Sequence, residues 1–352
     1  MTKPLQAAIM FGFGRENWER AVDFVVEAEK LGVHSAWFAE AWGSDAISPL
    51  AFVAARTSKI MLGTGIMQAG TRTPALVGMT ASTLAALTGG RFILGLGTSG
   101  PQVIEGWHGL KWETPIRRMR EIVDIARLVM SGERVSYDGR VYTLPRPGGE
   151  GKAIKSSMGA VAAPVPVYLA TLGPKSLEMT GEIADGWLGT SFMPEHASVF
   201  FDHIRAGAKK AGRLMDEIDL QAGGVVAFSD DVESLYPARK PGLAFTLGAM
   251  GSRDHNFYNE AFQRAGYKDL ALKAQATWLE GDKGAAAAMI PDEVVAQTNL
   301  LGTEEMVKQR IRAYRDSGVT TIRVDPDGRG MAERVETLGS FMRLLGEVNG
   351  EA

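Results

Sequence analysis

The chain contains no cysteine among its 352 residues. This absence excludes a disulfide-stabilised scaffold, a thiolate nucleophile and a cysteine-ligated metal site. Histidine is also scarce, with five copies at His34, His108, His196, His203 and His255. No two of them have the H-x-H or H-E-x-x-H spacing of a metal hydrolase. We therefore predict no metal centre.

Long apolar runs and an excess of positive charge are missing as well. No run approaches the roughly 18 residues of a membrane span. The N-terminal stretch MTKPLQAAIM lacks the charged start and long apolar segment of a signal peptide. The net charge is −3 and the basic residues are scattered, so no surface for nucleic acid is indicated. We expect a cytoplasmic protein with no nucleic-acid or membrane partner.

Short apolar runs alternate with amphipathic helical patterns along the whole chain. Eight runs predict β-strands, at residues 5–10, 35–38, 59–65, 92–96, 166–169, 186–189, 221–228 and 320–324. Almost every run is followed by a helical pattern. Eight β/α units in a chain of this size predict an α/β fold, a (β/α)8 TIM barrel.

Two segments are longer than ordinary barrel loops. Residues 131–164 contain VSYDGRVYTL, in which Asp-Gly between two β-type runs predicts a hairpin. Residues 230–301 have mostly helical patterns. We interpret both as insertions, after strands four and seven, in a single domain spanning residues 1–352, because neither has its own set of strands. A two-domain arrangement is the less economical alternative.

The stretch RFILGLGTSG places Gly95, Gly97 and Gly100 in the G-x-G-x-x-G spacing of a dinucleotide fingerprint. A Rossmann fold needs a long helix after the third glycine, whereas Gly106 interrupts the pattern here after little more than one turn. Three complete β/α units also precede the motif. In a barrel the glycines would end strand four on the active-site face, where a ring or phosphate can approach the backbone. A tight turn without a ligand is an equal alternative.

The segment RFILGLGTSGPQVIEGWHG (residues 91–109) resembles the strand-four signature of luciferase-like flavin and deazaflavin oxidoreductases. It is most similar to the coenzyme F420-dependent branch, which includes methylenetetrahydromethanopterin reductase. The resemblance continues through WFAEAWGSDAISPLAFVAARTSKIMLGTGI, YLATLGPKSLEMTGEIADGW and GAMGSRDHNFYNE. It implies a barrel with the cofactor ring at its C-terminal mouth, the cofactor tail directed toward strands five and six, and a homodimer.

The resemblance also implies the cofactor-binding positions. A non-proline cis peptide would fall at Gly65–Ile66 and support the ring, and Thr98, Ser99 and Gly100 would contact the ring or its side chain. Ala170, Thr171, Leu172 and Gly173 would hold the cofactor phosphate at a helix N-terminus opened by Pro174, with Lys175 adding charge. An ordinary helix start is the alternative reading of that motif. Arg72 is a further candidate for the acidic tail, or else a solvated surface arginine.

Three residues are the candidates for catalysis: Glu40 as proton donor or acceptor, Trp42 on the substrate side of the ring, and Glu105 reaching into the mouth. Many deazaflavin enzymes have Asp-His or Asp-Tyr where this chain has Ala39 and Glu40. Glu40 could therefore instead be a solvated carboxylate or an ion-pair partner, and Glu105 a helix-end carboxylate.

Trp107, His108 and His255 are the candidates for substrate contact. In the second insertion, Asp254, His255 and Asn256 either shape a substrate lid or start a capped helix.

Three functions follow from the sequence. The first is an F420-dependent oxidoreductase that transfers a hydride to or from an unidentified small organic substrate. The second is an FMN-dependent monooxygenase of the same fold, and the third is a non-catalytic cofactor-binding barrel.

Overall fold

The computed structural model describes residues 3–12, 18–252 and 255–351. Eight parallel strands of these ranges close into a barrel, and five short strands lie at its rim or in an insertion. The strands are β1 (Gln6–Phe11), β2 (Ser35–Phe38), β3 (Met61–Thr64), β4 (Met67–Gln68), β5 (Phe92–Gly97), β6 (Tyr137–Asp138), β7 (Thr143–Leu144), β8 (Val167–Ala170), β9 (Gly186–Leu188), β10 (Asp219–Ala222), β11 (Val225–Phe228), β12 (Leu300–Gly302) and β13 (Thr321–Pro326).

Helices surround the strands and build the second insertion. They are α1 (Trp18–Lys30), α2 (Ile47–Ala54), α3 (Pro74–Leu87), α4 (Pro101–Ile104), α5 (Pro115–Met130), α6 (Pro174–Ile183), α7 (Ser198–Lys210), α8 (Lys240–Ala249), α9 (Phe257–Phe262), α10 (Lys268–Leu279), α11 (Lys283–Ala288), α12 (Asp292–Thr298), α13 (Glu304–Ser317) and α14 (Met331–Asn349).

The barrel runs in the order β1-β2-β3-β5-β8-β9-β10-β13, and β13 returns to pair with β1. This closing pair is parallel, with Gln6 opposite Thr321 and Ile9 opposite Val324. Closure removes the edge strands that an open sheet would leave exposed. The predicted (β/α)8 TIM barrel is therefore confirmed.

Alternation along each strand divides the core into two layers. Ala8, Trp37, Ile93, Tyr168 and Leu188 form a small buried cluster. The neighbouring positions, such as Ile9, Ala36 and Leu94, belong to the large cluster between the sheet and its helices. Asp219 lies next to this inner cluster. Its carboxylate accepts hydrogen bonds from Tyr168 and Gln221, each at 2.8 Å.

The prediction of one continuous strand over residues 221–228 is wrong. Gly223 and Gly224 break it into β10, which pairs with β9 and β13, and β11, which pairs with β13 and β12. A Cβ atom at 223 would lie 2.0 Å from the carbonyl oxygen of Arg323, and one at 224 would lie 2.2 Å from that of Thr298. Two neighbouring backbones approach so closely here that only glycine fits.

The two long segments have the secondary structure expected of them. Residues 131–164 contain the antiparallel hairpin β6–β7, as the Asp-Gly signal predicts. The segment after β11 contains α8 to α12 and ends in β12. Its helices share a separate apolar cluster that includes Leu247, Phe262 and Val294. The assignment of the whole chain to a single domain stays a prediction.

In the part of the chain that the structure describes, no helix is long and apolar enough to cross a membrane.

Candidate active site

A cleft of about 470 Å³ opens at the C-terminal mouth of the barrel. Its walls come from the ends of β1 and β13, from the first residue of β11 and from the residue that follows β2. The lining residues are Met10, Phe11, Gly12, Ala39, Val225, Arg239, Asp325, Pro326, Asp327, Gly328 and Arg334. This is the face on which barrel enzymes build their active sites.

The peptide bond between Gly65 and Ile66 is cis, as the resemblance implied. It lies just beyond β3, and hydrogen bonds to the neighbouring strand fix both of its residues. The Gly65 N–H donates to the Phe38 carbonyl at 2.6 Å, and the Glu40 N–H donates to the Ile66 carbonyl at 3.1 Å. Ala39, between Phe38 and Glu40, lines the cleft. The cis peptide therefore forms a backbone shelf bonded to one wall of the mouth.

At two of the three fingerprint glycines, other atoms of the protein occupy the space that a side chain would need. A Cβ at Gly95 would lie 1.8 Å from the Thr64 carbonyl oxygen, and one at Gly97 would lie 2.7 Å from Cγ1 of Ile66. The expectation that these two glycines admit a ring or phosphate is therefore wrong. At these two positions β3 and the shelf pack directly against β5.

Only Gly100 of the fingerprint faces open space, with no atom closer to its Cβ position than 3.7 Å. Ser99, before it, has a left-handed φ of 57°, and the Thr98 hydroxyl donates to the Ser99 carbonyl at 3.2 Å. The helix that follows, α4, is four residues long, as expected from the interrupting Gly106. This short helix removes the basis for a Rossmann reading.

Glu40 and Arg72 form a bidentate ion pair. Arg72 Nη1 donates to Glu40 Oε1 at 2.6 Å, and Nη2 donates to Oε2 at 2.9 Å. The Glu40 side chain is 9% exposed and that of Arg72 is 20% exposed. The sequence left open whether Glu40 is an ion-pair partner, and the structure shows that it is. Its role in proton transfer stays a prediction, and so does that of Arg72 toward an acidic tail.

Trp42, Glu105, Trp107 and His108 are all exposed. The side chains of Trp42 and Trp107 are accessible over 56% and 67% of their surface. Glu105 follows the last residue of α4, and its Oε1 accepts the Trp112 N–H at 3.1 Å. Glu105 is thus the helix-end carboxylate. The catalytic roles of Trp42 and Glu105 and the substrate contacts of Trp107 and His108 stay predictions.

The candidate phosphate loop runs from Ala170 to Gly173, between β8 and α6. Thr171 is buried, and its carbonyl accepts the indole N–H of Trp187 at 2.9 Å. Gly173 and Pro174 start α6 with no side-chain cap. The first N–H groups of the helix therefore have no partner within it. Lys175 is exposed at the same helix end.

Arg264 is a residue that sequence reasoning missed. It belongs to the second insertion, and its Nη2 donates to the Leu172 carbonyl at 2.6 Å. Its Nε is buried without a hydrogen-bond partner among the described residues. Burial lowers its pKa, which the charge of Glu260 partly offsets. Because 92 residues separate Arg264 from Leu172, no local pattern could have paired them.

The cleft also contains two ion pairs that the sequence did not indicate. Arg334 pairs with Asp325 at 2.8 Å, and Arg239 pairs with Asp327 at 2.5 Å. The Asp325 side chain is 61% accessible, yet the concave wall removes enough water to raise the pKa of its carboxyl. The arginines Arg334 and Arg239 lower that pKa in part, and Asp327 raises it further.

In the second insertion, the structure shows a capped helix start at Asn256, one of the two alternatives for residues 254–256. The Asn256 side chain accepts the Asn259 N–H at 3.0 Å and begins α9. His255 is exposed, and Asp254 lies outside the described residues. Within the described ranges, no three His, Asp or Glu side chains are arranged to hold a metal ion.

Comparison with known proteins places the chain in a family. The family model of luciferase-like monooxygenases matches residues 4–321. A Mycobacterium tuberculosis protein, assigned provisionally as a coenzyme F420-dependent oxidoreductase, is 35% identical over 97% of this chain and 100% of its own length. The 5,10-methylenetetrahydromethanopterin reductase of Methanolobus tindarius is 31% identical over 89% of this chain and 92% of its own.

A solved structure is similar to this chain as well. The coenzyme F420-dependent tetrahydromethanopterin reductase of Methanopyrus kandleri superposes with a TM-score of 0.80 and 25% identity, covering 96% of this chain and 97% of that one. The chain belongs to the luciferase-like monooxygenase family, and it is similar to members of the coenzyme F420-dependent branch. The resemblance identified from the sequence motifs is confirmed.

Proposed function

We propose that this protein is a coenzyme F420-dependent oxidoreductase that transfers a hydride between the deazaflavin and a small organic substrate. The observation that carries the proposal is a cleft of about 470 Å³ at the barrel mouth, beside backbone of Gly65 and Ile66 that is hydrogen-bonded to Phe38 and Glu40. A planar ring needs such a backbone surface on one face and open space for a substrate on the other. When bound, the deazaflavin supplies the hydride chemistry.

The donor groups present fit this cofactor. Gly65 and Ile66 would support the ring, while Thr98, Ser99 and Gly100 would contact the ring or its side chain. The uncapped start of α6 offers backbone N–H groups for a phosphate, together with Ala170, Thr171, Leu172 and Gly173. Lys175 and Arg264 would add positive charge, and the buried Nε of Arg264 has no acceptor among the described residues.

The substrate would occupy the cleft beside the ring. Trp42, Trp107, His108 and His255 remain our candidates for substrate contact, and their exposure leaves them accessible to it. Glu40 remains the carboxylate that the sequence nominates for proton transfer, and Glu105 remains a catalytic candidate at the mouth. Asp325 joins them because it lines the cleft and only its Oδ1 has a partner among the described side chains.

We also propose a homodimer formed through α2 and α3. These neighbouring helices expose large apolar side chains, namely Phe52, Leu76, Met79 and Leu87. Exposed apolar patches of this kind favour association with a second copy. Light scattering of the purified protein tests this: the dimer mass is expected, and a monomer for the wild type at micromolar concentration contradicts it. The cytoplasmic location stays a prediction.

The decisive experiment for function is a fluorescence titration of the apo protein with coenzyme F420, FMN and FAD. Binding of F420 at micromolar or tighter affinity, without comparable FMN binding, is the expected result. Binding of FMN alone would favour the monooxygenase alternative. Tight F420 binding with no turnover across a panel of carbonyl, alkene and alcohol substrates would favour a non-catalytic barrel. Binding of none of them would remove the cofactor assignment.

A further inference from the structure

The Glu40 carboxylate has every strong acceptor position occupied. Oε1 accepts from Arg72 Nη1 and from the Gln68 N–H, and Oε2 accepts from Arg72 Nη2 and from the Ala46 N–H. The two backbone bonds are each 3.2 Å long. An ionised carboxylate has about four such positions. These four hydrogen bonds therefore use the acceptor capacity of the carboxylate.

The same contacts join three segments of the mouth. Ala46 precedes α2, Gln68 ends β4, and Arg72 lies just before α3. The Gln68 side chain adds a bond to the Ala41 carbonyl at 2.8 Å. The Glu40 backbone N–H holds the Ile66 carbonyl, which is part of the shelf. One side chain and its backbone thus tie the loops after β2 and β4 to the cis peptide.

Burial makes the pairing between Glu40 and Arg72 effective. With 9% and 20% of the two side chains exposed, water competes weakly for the two parallel N–H to oxygen bonds. The guanidinium is planar and makes two bonds to the carboxylate, which a lysine ammonium cannot reproduce. Removing either partner leaves the other largely buried without its ion-pair partner.

We propose that Glu40 and Arg72 are positioning residues that hold the Gly65–Ile66 shelf in place for the cofactor ring. The inference rests on the proposed function, and it assigns Glu40 a role different from proton transfer. A residue that only moves a proton leaves cofactor affinity unchanged when it is replaced by an isostere. A positioning residue changes that affinity, because it sets the surface on which the ring lies.

Glu29, in α1, provides a matched control that also holds backbone next to β3. Its Oε1 accepts the backbone N–H groups of Ser58, Lys59 and Ile60 at 2.8, 2.6 and 2.9 Å. These residues precede β3, at the end of the barrel opposite the shelf. Glu29 is thus a carboxylate that also organises a backbone segment beside β3, but far from the mouth.

The test compares Glu40→Gln, Arg72→Lys, Arg72→Gln, the double variant Glu40→Gln/Arg72→Gln, and Glu29→Gln. Coenzyme F420 affinity is measured by fluorescence titration, unfolding by thermal melts, and backbone opening by hydrogen exchange over residues 64–68. We expect each single change at the pair to weaken F420 binding roughly tenfold, since small displacements of a binding surface are costly. The double variant should be no weaker than the worse single variant, because the two residues act as one unit.

Hydrogen exchange over residues 64–68 should rise in Glu40→Gln and stay at the wild-type level in Glu29→Gln. The Glu29 variant should lose thermal stability and keep its F420 affinity. Wild-type affinity in Glu40→Gln, or an equal loss in Glu29→Gln, would overturn the inference. If the wild-type protein does not bind F420, the proposed function fails. Hydrogen exchange is then the test of the positioning role, and unchanged exchange over residues 64–68 in Glu40→Gln would reject that role.

Discussion

The side chain of Ile66 occupies the space that a side chain at position 97 would need. A Cβ at Gly97 would lie 2.7 Å from Cγ1 and 2.9 Å from Cδ1 of Ile66. The middle glycine of the G-x-G-x-x-G motif is therefore required by the residue that follows the cis peptide. A motif typical of phosphate binding serves here to pack one strand end against the shelf.

Gly97→Ala should destabilise the protein and weaken cofactor binding together. The added methyl group must displace Ile66, and overpacking of this kind costs about 1–3 kcal/mol. Gly100→Ala is the matched control, because its Cβ would meet no atom closer than 3.7 Å and its φ of −134° suits any residue. Urea unfolding followed by circular dichroism measures both variants. Equal stability of the two would contradict the packing argument.

Glu29→Gln should destabilise the protein at neutral pH and matter less in acid. Burial raises the pKa of Glu29, but the bonds from Ile60, Lys59 and Ser58 and the charge of Arg91 outweigh it, so the pKa lies below 4.5. A carboxyl whose pKa is lowered by folding stabilises the protein above its unfolded-state pKa. That contribution disappears as the pH falls through the folded-state pKa.

Urea unfolding of wild type and Glu29→Gln at a series of pH values checks the sign. The difference in the free energy of unfolding should be largest at neutral pH and should shrink as the pH falls below 4.5. A difference that does not change with pH would show that the hydrogen bonds of Glu29 do not depend on its charge.

Asp219→Asn should destabilise the barrel without changing cofactor affinity. The Asp219 carboxylate accepts from Tyr168, Gln221 and Thr321 at 2.8 Å each, and also from the Thr320 hydroxyl. An amide would turn one acceptor into a donor that faces these donors, which costs about 1–3 kcal/mol. Denaturant unfolding measures the loss, and a tenfold loss of F420 affinity would place Asp219 in the site instead.

Asp316→Asn is the control for Asp219. Asp316 is 65% exposed on its side chain and pairs only with the adjacent Arg315. An exposed pair of this kind contributes about 0–1 kcal/mol. Both variants remove one carboxylate, so a larger effect at Asp219 reports its buried network rather than the change in net charge.

Arg264→Gln should weaken binding of coenzyme F420 and leave binding of its phosphate-free deazaflavin precursor unchanged. The guanidinium lies at the Leu172 carbonyl, in the loop that we propose for the phosphate. A charged hydrogen bond to phosphate contributes about 1.5–3 kcal/mol. Lys273→Gln removes the same charge from an exposed position on α10. Equal loss of both ligands in Arg264→Gln would mean that Arg264 shapes the loop and does not contact the phosphate.

The sequence alone predicted most of the barrel because local patterns carry that information. Apolar runs placed the eight barrel strands, because a strand that is buried on both faces consists mostly of apolar residues. The break at Gly223–Gly224 escaped detection because its cause lies in Arg323 and Thr298, 100 and 74 residues further along the chain. Glycine pairs of this kind occur in ordinary turns as well.

Candidate residues could be nominated from the sequence, but their partners could not. Glu40 was recognised by its position after a strand, whereas its pairing with Arg72 depends on the fold bringing together residues 32 apart. Arg264 and Asp325 carry no local signal, because an arginine in a helix and an aspartate at a strand end are common everywhere.

Local periodicity, turn residues and family motifs determined the fold class, the hairpin, the short α4 and the position of the cis peptide. Tertiary structure alone decided which side chains meet at the mouth. Closure of β13 onto β1 sets the distance between loops that are far apart in sequence. Charge pairing and burial then decide whether a carboxylate is buried in an ion pair, as in Glu40, or accessible to solvent, as in Asp325.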